Sequence, residues 1–241
     1  MDTPYKYTVY CRGKKSSICG VGSLGEESTM GHTARQKTGR TAMIAQHDKP
    51  LQALREHYQQ AMTEGDAAAK TCTLATVENG ELSLRTLVLR ELAERGPVIF
   101  INDSSPKWRA LMTGGHSELL LFWPSQMRQY RLRGAWQLLE EDEMRRHWQH
   151  KPDGSKWLDH YYAQCQPQSS ELADEDDLAA GIDDLRRAHT ADDIPFSPNA
   201  RGLRLQVDWL EHWSASPDGL HRRYRYQRDR VGQWRHQCLV P

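Results

Sequence analysis

Apolar positions recur along this chain with two periods, and the changes of period mark its elements. In "PLQALREHYQQAMTEGD", Leu51, Leu54, Tyr58, Ala61 and Met62 return at helical spacing, which predicts an amphipathic helix. In "KTCTLATVENGELSLRTLVLREL", two β-branched runs flank Asn79-Gly80, a strong short-range hairpin signal. "GPVIFIN" and "SELLLFW" read as strands. Between them "SSPKWRALMTGG" reads as a short helix that Ser105 caps, Pro106 opens and Gly114 closes. "RQYRLRGAWQLLE" alternates, with Tyr130, Leu132, Trp136 and Leu138 on one face and Gln129, Arg131, Arg133 and Gln137 on the other. Helices are expected at 140–150 and 154–164. The stretch 171–193 holds nine acidic residues against two basic ones and predicts a solvated acidic helix with loops. Three strand-like runs follow: "GLRLQVDWLEHW", "HRRYRYQR" and "QWRHQCLV". Strands, then helices, then strands again do not make the βαβ alternation of a parallel sheet. The order predicts a mainly β, α+β protein built on a closed antiparallel barrel with peripheral helices. Residues 1–47 hold six glycines and no sustained period, and are expected to form a poorly ordered arm ahead of one domain over 48–241.

Composition narrows the function classes. Lysine plus arginine equals aspartate plus glutamate at 32 each. That balance argues against a dedicated nucleic-acid binder, whose affinity comes largely from neutralising phosphates. It does so even though "GLHRRYRYQRDRVGQW" interleaves arginines with aromatics. No apolar run approaches the roughly 20 residues of a membrane span, and the N-terminus lacks the apolar core of a signal peptide. The five cysteines (Cys11, Cys19, Cys72, Cys165, Cys238) are scattered and form no C-x-x-C pair. The expectation is a cytoplasmic protein with neither a disulfide framework nor a bound metal.

Arg85 is the first candidate for chemistry, because it interrupts the apolar strand "LSLRTLVLR". A charge there is costly unless it meets a partner or faces solvent from an edge strand. Ser105 and Lys107 open a short helix, whose free N–H groups attract anions. Arg85, Ser105 and Lys107 could together hold one phosphate. Arg85 and Arg90 are five apart, so an ideal strand aims them at opposite faces. Both line one pocket only if the strand bulges or Arg90 lies past its end. Trp108, Trp123, Trp136 and Trp234 read as packing residues, Asp208 and Glu211 as solvated strand residues, and His147 equally as a helix-surface histidine.

The ordered set "TLATVENGELSLRTLVLRELAERGPVIFINDSSPKWRAL", "LLLFWPSQMRQYRLRG", "KPDGS" and "VDWLEHW…LHRRYRYQR…W", ending at "LVP", resembles the pyridoxine/pyridoxamine 5′-phosphate oxidases from about Pro50 to Pro241. The resemblance implies a split β-barrel homodimer that binds FMN at the subunit interface. It assigns Arg85, the backbone of Thr86, Leu87, Val88 and Leu89, and Arg90 to the cofactor, together with Ser105, Lys107, Gln129, Trp213 and Arg223. It assigns Arg90, His147, Lys151, Ser155 and His221 to an anionic substrate, with His221 and Arg223 orienting the reacting ring. A glutamine–serine pair of the flavin site could be Gln164-Cys165 or Gln168-Ser169. The implied reaction oxidises a phosphorylated pyridine amine or alcohol to the aldehyde, with dioxygen as acceptor.

Several positions depart from the family. Arg90, His147 and Lys151 replace a lysine, a tyrosine and an arginine. Gly219 stands where an arginine covers the substrate, Pro106 replaces a basic residue, and Phe100-Ile101 replace a Tyr-Thr pair. A second reading therefore keeps FMN but changes the substrate, for example to a phenazine precursor. A third is a non-enzymatic flavin- or nucleic-acid-binding module.

Overall fold

The computed structural model describes residues 49–189 and 193–241. The arm expected over 1–47 lies outside them. Helix α1 (Pro50–Thr63) begins with a proline, whose fixed φ suits the first helical turn. A 3-10 turn (Ala67–Lys70) capped by Asp66 leads into the sheet. Strands β1 (Thr71–Glu78) and β2 (Glu81–Ala93) form the hairpin expected at Asn79-Gly80, where both residues have positive φ (53° and 83°). Then come β3 (Gly96–Asn102), α2 (Pro106–Met112), β4 (Ser117–Trp123) and β5 (Arg128–Leu138). The helices α3 (Glu141–Gln149), α4 (Asp153–Gln164) and α5 (Glu175–Ala188) follow. Strands β6 (Ala200–Ser214), β7 (Arg222–Arg228) and β8 (Trp234–Leu239) end the chain.

The sheet runs β3-β2-β1-β4-β5-β6-β7-β8, and β3 also pairs with β6. That extra pairing closes six strands into an antiparallel barrel and leaves β7 and β8 as an extension from β6. Inward residues alternate with outward ones, so Leu74, Ile99, Leu119, Leu121, Leu132, Leu203 and Leu210 fill the barrel with essentially no exposure. Tyr58 and Leu54 of α1 join this core, and Trp123 is fully buried in it. Trp108, Trp136 and Trp234 pack against the core as expected. Leu138, expected on the inner face, is half exposed at the end of β5. The acidic α5 buries none of its residues.

Two bulges break the strict alternation, and both matter later. Across β2 and β3, Leu89 faces Ile99 and Glu91 faces Val98, which leaves Arg90 as the extra residue. Across β5 and β6, Arg133 faces Trp209 and Gly134 faces Val207, which leaves Asp208 unpaired and exposed. No described helix is long and apolar enough to cross a membrane.

Candidate functional site

Four cations converge on the side of the barrel covered by α2, α3 and α4. Arg85 lies on β2 opposite Leu74, so it carries the inward parity of its strand. Its guanidinium donates to Thr76 Oγ1 (2.7 Å), to the Leu74 carbonyl (3.3 Å) and to Ser83 Oγ (2.6 Å). None of these partners carries a charge. Lys107, in the first turn of α2, is pushed down to about 8, first by burial and then by the positive charge of Arg85; Asp159 opposes both. Burial likewise lowers Arg90 and Lys151, and the Asp159 carboxylate pulls each the other way. The bulge removes the parity conflict between Arg85 and Arg90 and keeps Arg90 inside β2 rather than beyond its end.

Asp159 is the residue that sequence reasoning missed here. It sits in α4, is 5% exposed, and forms an ion pair with Lys151. Asn102 donates to its second oxygen at 3.3 Å. The same Asn102 accepts from the backbone N–H and the hydroxyl of Ser104, at 3.1 and 2.6 Å, and so ties the carboxylate to the loop ahead of α2. Ser104 in turn accepts the Gln168 N–H (3.0 Å), while Lys107 Nζ donates to Gln168 Oε1 (2.8 Å). Of the two glutamine–serine candidates, Gln168-Ser169 therefore stands at the cation group. Gln164 instead lies beside His160 (3.5 Å). Ser105 is fully buried and acts as the N-cap: it accepts from the Trp108 N–H and donates to the Asn102 carbonyl (2.8 Å). Ser155 lies one turn before Asp159 in α4, half-buried. His147, in α3, pairs through Nε2 with Glu91 (3.1 Å) and lies with its ring 5.5 Å from Phe100. In the backbone run Thr86 to Leu89, Thr86 and Val88 are exposed and Leu89 is buried.

A second group lies on the outer face of the sheet. Gln129, Trp213 and Arg223 are cross-strand partners in one row of β5, β6 and β7. Together with Phe122, Met127, Arg131, Glu211 and Pro241 they line a cleft of about 420 Å³. The His221 ring stands 5.0 Å from that of Trp213. Glu211, expected to be solvated, is instead 3% exposed beneath this cleft. Its Oε1 accepts from Arg223 Nε (3.0 Å) and Nη2 (2.9 Å) and from Arg131 Nη1 (3.2 Å). The correction has a simple cause. Glu211 shares the outward parity of Trp209 and Trp213, and the arginines of both neighbouring strands close over it. Arg131 continues the chain to Glu118, which also takes Arg133. Past this cleft the β7–β8 hairpin carries Arg225, Arg228, Arg230 and Arg235 around a further cleft of about 620 Å³.

Gly219 adopts φ +74° in the turn Ser216–Gly219, closed by its N–H on the Ser216 carbonyl (2.9 Å). The adjoining Leu220 is 74% exposed. Left-handed backbone favours glycine, so the tight turn itself disfavours an arginine at this position.

The fit of a cofactor is judged from the donors that the site presents. Arg85 and Lys107 offer charge-assisted bonds suited to a phosphate dianion. Gln129 and Trp213 offer an amide and an aromatic face suited to a flavin ring. The residues fit FMN.

No family model matches the chain. A pyridoxine/pyridoxamine 5′-phosphate oxidase of Ralstonia nicotianae is 33% identical over 193 residues, 80% of this chain and 89% of that protein. Among solved structures, PhzG from Burkholderia lata in complex with tetrahydrophenazine-1-carboxylic acid is 30% identical with a TM-score of 0.70. The alignment covers 80% of this chain and 93% of that one. A pyridoxamine 5′-phosphate oxidase-related, FMN-binding protein from Nostoc punctiforme shares the fold at 19% identity and a TM-score of 0.63, over 80% of this chain and 98% of that one.

Proposed function

Because the chain belongs to the pyridoxine/pyridoxamine 5′-phosphate oxidase family, we propose that it is an FMN-dependent oxidase of a small aromatic substrate. The observation that carries this reading is the juxtaposition of Arg85 with the desolvated Lys107, two cations that bind no carboxylate among the described residues. FMN, when bound, supplies the two-electron acceptor for a hydride leaving the substrate carbon and passes the electrons to dioxygen, giving peroxide. The protein's own part is to bind and orient. Arg85 and Lys107 hold the cofactor phosphate, with Gln168 fixing the lysine. Gln129 supplies donor and acceptor to a ring edge, and Trp213 supplies an apolar cover. Arg223, steered by Glu211, and His221 orient the substrate ring.

The reading includes a homodimer. Arg85 of the cation group lies on inward parity of β2, whereas Gln129, Trp213 and Arg223 lie outward on β5, β6 and β7. A two-fold partner would bring the outer row of one protomer to the phosphate group of the other. The outer face of β2 supports this, since Leu82, Leu84 and Val88 are 67%, 60% and 50% exposed. Light scattering on the purified protein tests it; a monomer at micromolar concentration would refute it.

The test of the function is the visible spectrum of the purified protein, with the released cofactor identified by mass and peroxide measured on adding candidate aromatic amines and alcohols. Arg85→Ala is run beside it. A yellow protein carrying FMN, with the cofactor weakened in the variant, is the expected result. A colourless protein that cannot be loaded with FMN would sink the reading.

A further inference from the structure

Asp159 occupies a place in the cation group that changes what the group can bind. Arg85, Arg90, Lys107 and Lys151 bring four positive charges, and among the described residues Asp159 is the one buried carboxylate beside them. The nearby acids have partners of their own: Glu91 lies at His147, Asp153 at Lys156 and Glu143 at Arg204. A phosphate monoester carries about −1.5 to −2 at neutral pH. With one phosphate held at Arg85 and Lys107 and Asp159 held at Lys151, close to one positive charge is left over. A second phosphate would leave the group with no positive charge to spare, between about zero and −1, beside a fixed, buried carboxylate. Like charges at such range repel strongly where water is excluded.

From this charge count we infer that the Arg90–Lys151 end of the site takes a singly charged group, an aromatic carboxylate, and rejects a phosphate ester. The inference rests on the proposed FMN site, which accounts for the first phosphate. Asp159 is the residue that sets this selectivity. It does so by holding Lys151 and attracting Arg90, the two cations that a substrate phosphate would otherwise use. The loop at the other end of the substrate region agrees, because Gly219 brings no charge and Leu220 presents an apolar side chain.

The experiment is calorimetric titration of the FMN-loaded protein with two matched pairs. Pyridoxine 5′-phosphate against pyridoxine isolates the contribution of a phosphate, and nicotinate against nicotinamide that of a carboxylate. In the wild type, nicotinate should bind about tenfold more tightly than nicotinamide, while the phosphate ester gains no more than about threefold over its alcohol. In Asp159→Asn the phosphate ester should tighten by about tenfold, with pyridoxine unchanged. A wild type that prefers the phosphate ester by tens of fold would overturn the inference. So would a folded Asp159→Asn variant with the wild-type ratio. The wild-type comparison decides the matter by itself if the variant fails to fold. A protein that takes up no FMN refutes the function reading instead. The cofactor-free chain titrated with inorganic phosphate then decides the selectivity: one phosphate bound supports it and two overturn it.

Discussion

Replacing Glu211 by glutamine should damage both stability and the cleft, and the size of the effect follows from who remains to neutralise the arginines. The carboxylate is 4% exposed at its side chain, whereas Arg131 and Arg223 are 31% and 32% exposed. Removing one partner of a buried ion pair costs about 3–5 kcal/mol because a charge stays behind uncompensated. Here the penalty shrinks. Arg131 keeps Glu118, bound through Nε and Nη2, and water reaches about a third of each guanidinium. We expect a loss of roughly 1.5–3 kcal/mol after that screening. At about 2–4 °C per kcal/mol for a domain of this size, the melting temperature should fall by about 3–12 °C. Thermal unfolding followed by circular dichroism reads it. The companion variant Arg223→Gln separates a local pair from a general core defect. If Glu211 acts through Arg223, the double variant loses less than the sum of the singles, with a coupling of about 1 kcal/mol or more. Additive losses, or a Glu211→Gln melting temperature within about 1 °C of wild type, would refute the account.

Lys107 predicts a pH dependence. Its folded value of about 8 lies below the ordinary 10.5, so burial opposes the charged form. That penalty is present below pH 8 and is relieved as pH rises towards 10.5, so the ligand-free fold should gain stability over this window. Phosphate binding needs the charged form, and FMN affinity measured by fluorescence quenching should weaken about tenfold from pH 7 to pH 9 as the competent fraction falls. An FMN affinity flat across that range would remove Lys107 from the phosphate site. Cys72, buried with its thiol pushed up to about 12, should resist iodoacetamide at pH 8 in the native protein while the exposed Cys165 is modified, as read by peptide mass spectrometry. Gly96→Ala should lower expression or melting temperature sharply, since φ is +119° and a Cβ would stand 2.2 Å from the Leu205 carbonyl oxygen. Arg228→Gln with Arg230→Gln should leave FMN affinity and turnover unchanged; a large loss would mean that the β7–β8 arginines belong to the site.

The two buried acids show where the sequence was legible and where it was not. Strands, hairpin and caps could be read because each is written locally. Asn79-Gly80 demands its turn, Ser105-Pro106 its helix start, and the inward leucines of β4 and β5 their alternation. The cations of the site were also legible, because an arginine within "LSLRTLVLR" needs a partner wherever the strand goes. Their counter-charges were not. Glu211 reads as solvated because nothing in "VDWLEHW" marks the bulge that changes which residues face the neighbouring arginines. The bulge opposite Gly134 expels Asp208 and inverts the alternation after Val207, so Glu211 turns outward and stands in register between Arg131 and Arg225. Asp159 is harder still. Its ion-pair partner Lys151 lies eight residues away, and Asn102 and Arg90 come to it from β3 and β2. A local window shows which charges need partners, and only the closed barrel shows which acid meets them. Since those acids decide how much positive charge is left for ligands, the part of the function least legible in this sequence is its substrate.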